Sequence, residues 1–309
     1  MTVAARVQPE AFFTPEEWRV LSARSSWKGV ALVLHCWLVI GGAMAVGIAW
    51  PLSIPLMVMV IGNRQLGLFI LMHDAAHGLL HANRRINDRL ALWFCGYELN
   101  SYRPYHLQHH RFVQQTEDPD LVLSAPFPVS PDSLRRKIMR DLTGQTFIKQ
   151  RFGMLAGKLR ARQPGESAWA LVAAEVKRQR VFLLANGVGL ALFSVVGLWW
   201  AWVFMWLLPM ATWLPLVSRL RNIAEHALIE QNGTDPLRHA RTTRANGLER
   251  LFIAPYWVNY HGEHHMFTQV PCWNLPRAHR LLAGKGVTAR MELQPGYATV
   301  MRLVSAARR

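Results

Sequence analysis

The sequence predicts an all-α membrane protein of four transmembrane helices in two hairpins, with a cytoplasmic helical cap that carries a histidine-rich metal site. Three observations predict it. Residues 29–63 and 181–218 are runs of 35 and 38 residues without a single Asp, Glu, Lys or Arg. The 35 basic residues avoid those runs: seventeen lie in 84–180, thirteen from Arg219 onward, and only Arg64 falls deep within an expected span. Eight of the thirteen histidines crowd into three windows of five residues, where an even spread would put fewer than one. The pairing of 51% hydrophobic residues with a formal net charge of +16 then describes a topology, with apolar hairpins in the bilayer and charge on one side of it.

Residues 1–28 form a cytoplasmic N-terminal segment. Its four basic and three acidic residues leave no apolar core of the kind a signal peptide needs, and Thr14-Pro15-Glu16-Glu17 reads as a capping box opening a short surface helix. A helix crosses about 30 Å of hydrocarbon in about 20 residues, so each uncharged run holds two crossings. The first run gives spans at 29–49 and 53–75, turned at Trp50-Pro51-Leu52-Ser53. The second gives 181–200 and 203–220, with Trp199-Trp200-Ala201-Trp202 at the interface level where amphipathic aromatic rings collect. Two hairpins return the N-terminus, the middle segment and the C-terminus to one side, and the basic excess there makes that side cytoplasmic.

In the middle segment, Leu90–Tyr97 is apolar but too short to cross, so it re-enters or lies on the surface. Residues 145–162 mix Phe147, Ile148, Phe152 and Met154 with Lys149, Arg151, Lys158 and Arg160, the composition of an interfacial helix on anionic head groups. Residues 238–244 form a basic stretch suited to a polar head group or an acidic electron carrier, or simply a solvated loop, and 286–309 form a basic C-terminal tail. No basic recognition helix accompanies the charge, which argues against nucleic-acid binding. Cys36, Cys95 and Cys272 are isolated, and neither Gly-x-Gly-x-x-Gly nor a Walker loop is present.

The histidine spacing carries the chemistry. His73 and His77 are four residues apart on one helical face. His106-Leu107-Gln108-His109-His110 and His261-Gly262-Glu263-His264-His265 share the form His-x-x-His-His. In each, the first and third histidines can point together, while adjacent ones diverge by about 100° and can serve two different ions. Zinc is satisfied by three or four protein ligands, so eight imidazoles imply two metals, though ligand type alone does not name them.

These three boxes, ordered around two membrane hairpins, resemble the integral-membrane fatty acid desaturase and hydroxylase superfamily, over roughly residues 30–285. The resemblance implies a non-haem di-iron centre on the cytoplasmic side, ligated by His73, His77, His106, His109, His110, His261, His264 and His265, with O2 as co-substrate. His226, just past the expected fourth span, matches a ninth histidine, and Asn222, one turn earlier, matches a position with a water-mediated iron contact. The three residues inside the first box, where animal acyl-CoA enzymes have four, point to a bacterial branch and so to a bacterial inner membrane. The membrane-bound catalytic domain would be 29–285.

Asp74, Glu225 and Glu263 adjoin ligand histidines and are candidates to accept their second N–H, which fixes the tautomer; Asp118 and Asp120 follow the second box and are candidates for the same role. Charge at the depth of Arg64 costs at least about 2–3 kcal/mol, so it should face the bundle with a partner; Asn63-Arg64-Gln65 is expected to line or brace a substrate tunnel. The resemblance implies a fatty acyl or lipid substrate that gains a double bond, with hydroxylation, carotenoid oxygenation or oxidative decarboxylation to a terminal alkene as alternatives on the same scaffold. A membrane zinc hydrolase is a more distant alternative. With no haem, flavin or iron–sulfur motif in the chain, electrons must come from an external donor such as a ferredoxin, a rubredoxin or a b-type cytochrome with its reductase.

Overall fold

The computed structural model describes residues 4–96, 98–163 and 165–305. Tyr97, at the end of the expected re-entrant stretch, and residues 306–309 of the C-terminal tail lie outside them. The chain divides into two compact units: one holds the residues up to Val39, Asn63–Leu134 and everything from Val217 onward, the other Ile40–Gly62 and Arg135–Leu216.

The capping box is formed as read. Thr14 Oγ1 accepts from the Glu17 amide at 3.2 Å, the Thr14 amide donates to Glu17 Oε2 at 2.9 Å, and α1 (Pro15–Leu21) follows. The first uncharged run folds as α2 (Lys28–Ala49), a short 3-10 turn at Pro51–Ser53, and α3 (Ile54–Ala76), within a residue of the expected bounds. Proline cannot donate the backbone bond a continuous helix needs, so Pro51 ends one helix and starts the next. Asn83 caps α4 (Arg84–Leu90) with its side-chain oxygen. The apolar stretch after it is a π-helical turn at Ala91–Cys95 that leaves Trp93 and Phe94 exposed, as a segment at a membrane surface requires. Then come α5 (Leu99–Phe112), α6 (Leu121–Ser124) and α7 (Pro131–Leu142).

The second unit contains α8 (Gln145–Arg160) and α9 (Ala168–Val195). Here the boundaries differ from the reading. The apolar run from Val181 is only the second half of α9, whose first half carries Glu175, Lys177, Arg178 and Arg180 and packs on α8 through polar contacts, Gln179 Nε2 donating to the Arg151 carbonyl at 2.9 Å. The helix stops at Val195, short of the expected 200. Gly197 adopts φ +73°, its amide bonds the Ser194 carbonyl at 3.0 Å, and the Leu198 amide bonds Phe193 at 2.8 Å, which is a Schellman termination. The tryptophans therefore open the next helix instead of closing this one: α10 (Trp199–Trp202), a π-helical turn at Val203–Leu207, α11 (Leu208–Ala211) and α12 (Trp213–His226) run in succession. Within this unit a Cβ on Gly47 would lie 2.2 Å from the Met205 side chain, so only glycine lets α2 approach that closely.

Three stretches are long and apolar enough to cross a membrane: Lys28–Ala49, Pro51–Ala76 and Trp199–His226. Leu38 on α2 and Leu192 and Val195 on α9 point outward, a surface suited to lipid rather than water.

The C-terminal part adds β1 (Arg241–Thr243), α13 (Gly247–Phe252), α14 (His261–Met266), α15 (Leu275–Gly284), β2 (Glu292–Gln294) and α16 (Tyr297–Val304). The strands pair in parallel, a small departure from an all-α expectation. A core of Phe13, Leu21, Phe267, Leu275 and Leu282 fixes α1 and α15 beside α14. The Asn274 amide group closes the end of α1 by donating to the Leu21 carbonyl at 2.8 Å.

Candidate metal centre

Four helix ends converge on one point of the first unit. His73 lies in the last turn of α3 and His77 directly follows it, α5 presents His106, His109 and His110, α12 ends at His226, and α14 carries His261, His264 and His265. The nine fall into two groups with ligand atoms within 4.8 Å of one another: His73, His77, His106, His110 and His264 in one, and His109, His226, His261 and His265 in the other. Helical spacing explains the partition. Histidines four apart stay together, as His106 with His110 and His261 with His265, while the adjacent pairs His109–His110 and His264–His265 are split by about 100° between the groups.

Whether these residues suit metal ions is tested by their nitrogens. His106 Nε2 faces His77 Nε2 at 2.9 Å and His110 Nε2 at 3.0 Å, more partners than one shared proton can satisfy. In the second group His261 Nε2 stands 2.9 Å from His226 Nε2 and 3.0 Å from His265 Nε2. Both ring nitrogens of buried His73 lack a hydrogen-bond partner among the described residues. Two nitrogens about 3 Å apart subtend about 90° at an ion about 2.1 Å from each, whereas a tetrahedral zinc would spread them to about 3.4 Å. The spacing and the five-histidine group fit an ion of higher coordination number, and imidazole suits iron.

Burial sets the protonation state. It pushes His77 down to about 4. Burial first, and neighbouring histidines second, hold His106, His110, His261 and His265 well below the ordinary imidazole range. Neutral imidazole is the form that binds metal.

The acidic candidates take different places. Asp118 accepts from His109 Nδ1 at 2.8 Å, and also from the amides of Gln114 and Asp120 at 2.9 and 2.8 Å. Asp120 lies 3.7 Å from the same His109 nitrogen and accepts the Tyr105 hydroxyl. Asp74 is 3.8 Å from His73 Nδ1, too far for a hydrogen bond, and instead takes the Cys272 amide at 2.9 Å. Glu263 is fully buried and, among the described residues, hydrogen-bonds no histidine of either group; it accepts from Thr242 and from His279 Nδ1, pinning α14 to β1 and α15. His279, unremarkable in the sequence, thereby has a defined task. Glu225 is gripped by Arg221 through Nε and Nη2, both at 2.7 Å, and approaches His261 Nε2 at 3.4 Å. Asn222 is half-buried on α12, one turn before His226.

Two supporting residues escaped the sequence reading. Tyr102, one turn before His106, stacks on that ring with centroids 5.2 Å apart and planes 9° apart. Gln114, in a left-handed conformation at φ 59°, donates from its side chain to the His226 carbonyl at 3.1 Å. The first was visible as an aromatic at helical spacing; the second is a loop geometry without a sequence signal.

Asn63 and Arg64 bond to α13. Asn63 Nδ2 donates to the Arg250 and Leu251 carbonyls at 3.2 and 2.5 Å, and Arg64 Nη2 to Arg250 at 3.3 Å, so they close the C-terminal end of α13, where a cation opposes the helix dipole. Gln65 is buried beside them. The Arg64 guanidinium also lies 5.3 Å from the centre of the Tyr256 ring. Tyr256 in turn lines a cavity of about 10 Å³ with His73, His261 and His264, and it and Trp257 hold strained positive φ values of 49° and 58°.

The chain is 26% identical to a dihydrorhizobitoxine desaturase of Bradyrhizobium elkanii, over 82% of this chain and 71% of that protein. It is also 26% identical to a beta-carotene ketolase of Paracoccus sp. (strain PC1), over 81% of this chain and 90% of that protein. A second Paracoccus beta-carotene ketolase, from strain N81106 / MBIC 01143, is 27% identical over 68% of this chain and 72% of its own length. The fatty acid desaturase family model matches residues 48–294, which include all nine clustered histidines, and the chain belongs to that family.

Proposed function

We propose that the protein is a membrane-bound, O2-dependent di-iron oxidoreductase that introduces a double bond into a fatty acyl chain. The observation that carries this reading is the five-plus-four grouping of histidines at a point where two membrane-length stretches, Pro51–Ala76 and Trp199–His226, come to an end. Two iron ions held there would supply the oxidising power that unactivated C–H bonds require and no side chain provides. The chain's own part is positional. Asp118 fixes the His109 tautomer, Tyr102 fixes the His106 ring, and the apolar walls of Ile70, Val258 and Leu275 keep water from the face shared by His73, His261 and His264.

The apolar half of α9 completes four spans in two hairpins, with both termini and the metal site on the cytoplasmic side of a bacterial inner membrane. Basic surface on that side suits a small acidic electron carrier, a ferredoxin, a rubredoxin or a b-type cytochrome with its reductase. Arg64, with Asn63 and Gln65, braces the substrate path through Tyr256 rather than lining it.

A second reading is oxygenation of a carotenoid, favoured by the two ketolases among the relatives. Profiling lipids, hydrocarbons and carotenoids of cells expressing the wild type or His109→Ala separates the two. A new acyl double bond lost in the variant supports the first reading, a new carotenoid oxygen function the second, and identical profiles would sink both.

A further inference from the structure

We infer that Glu225 supplies a carboxylate oxygen as a direct metal ligand to the four-histidine group, in the place where a water-mediated contact through Asn222 was expected. This rests on the two-metal reading above. The groups are unequal, five histidines against four, although α5 and α14 contribute to both. Glu225 stands where the smaller group needs a donor.

The direction of approach separates a ligand from a support. Asp118 meets its histidine at Nδ1, behind the ring, which orients it. Glu225 Oε2 meets His261 at Nε2, 3.4 Å away, and that is the nitrogen which also faces His226 and His265. An oxygen and a nitrogen 3.4 Å apart subtend about 110° at an ion about 2.1 Å from both, an ordinary angle between neighbouring ligands. The Glu225 side chain is 2% exposed, and Arg221 Nη2 meets its Oε2 at 2.7 Å, which takes up one lone pair of that oxygen. A carboxylate oxygen can accept twice, and a cation on the histidine side, where Oε2 faces His261, would occupy the second lone pair. Arg221, one turn earlier on α12, sets the carboxylate in place by gripping it through two nitrogens. A carboxylate also offsets charge that neutral imidazoles cannot.

The test is anaerobic equilibrium dialysis of the full-length, detergent-solubilised protein against graded Co2+, with metal counted per chain and the Co2+ absorption bands recorded. Wild type is expected to bind two ions. Glu225→Gln should keep one tight ion and weaken the other at least tenfold, with a changed band for the weaker site, and Glu225→Asp should recover part of the loss. Removing the carboxylate also unpairs Arg221, so the double variant Arg221→Gln/Glu225→Gln serves as the control. Persistence of the weakened second ion there supports ligation; a return to wild-type binding means that Glu225 only balances Arg221 and overturns the inference. Unchanged affinities and bands in Glu225→Gln, or a weakening found only in Asn222→Ala, overturn it as well. Fewer than two ions in the wild type would instead bring down the two-metal reading itself.

Discussion

Asp118 and His109 form the tightest link between the metal-facing rings and the chain that holds them. The carboxylate can only accept, so Nδ1 of His109 must donate across the 2.8 Å contact, and the lone pair is left on Nε2. The same carboxylate takes the amides of Gln114 and Asp120, and Gln114 reaches the carbonyl of His226. One side chain thus sets a tautomer and organises the loop that connects two ligands of the four-histidine group.

Asp118→Ala should therefore weaken the ion in that group by about 10–100-fold and cost a few kcal/mol of stability, because two backbone amides lose their acceptor with the ring. Asp118→Asn, which keeps one acceptor oxygen, should lose less. Metal titration with thermal unfolding checks both, and unchanged affinity in Asp118→Ala would remove Asp118 from any role at the site.

Acid should destabilise the metal-free protein through the same burial that prepares its ligands. His77 titrates near 6.5 when unfolded and near 4 when folded. Between those values the unfolded chain holds a proton that the folded chain refuses. Stability is then full above pH 6.5 and falls towards pH 4 by about 1.4 kcal/mol per pH unit for this one group. Melting temperatures of the apoprotein should decline through that window; a flat profile would show that His77 meets water when folded.

Arg64→Met should lower stability by about 1–3 kcal/mol, since the Arg250 carbonyl loses a charged donor and the Tyr256 ring loses its cation. Metal content should hold at two ions, because Arg64 touches neither histidine group. Product yield and chain-length preference measured alongside decide whether the strained Tyr256 loop governs substrate placement. No change in either would leave Arg64 with a role in stability alone.

The histidine partition was legible because it follows from helical geometry, and three residues in a box need no knowledge of tertiary structure. The pairing of Glu263 with Thr242 and His279 was not, because it depends on β1 and α15 arriving beside α14. The end of α9 lies between these cases. Hydropathy does not change across Val195–Val203, so composition placed the break too late, yet Gly197 carried the signal for a left-handed termination. Gly197→Ala should accordingly cost about 1 kcal/mol, seen as an earlier thermal transition with metal binding unaltered; an unchanged transition would mean the Schellman turn contributes nothing.

Adjacent histidines that serve different ions should fail differently. His110 belongs to the five-histidine group, so His110→Ala leaves four imidazoles, still a complete set for many divalent ions. His109 belongs to the four-histidine group, and His109→Ala leaves three imidazoles beside the inferred Glu225 oxygen and also takes from Asp118, and from the loop it organises, the ring they are built around. The expected outcome is close to two ions per chain in His110→Ala and close to one in His109→Ala, measured by elemental analysis after dialysis at limiting metal. Activity should fall in both, since two ions in altered positions serve no better than one. Loss of the same ion in both variants, read from identical changes in the Co2+ absorption bands, would contradict the partition, because it would mean that both rings bind one ion.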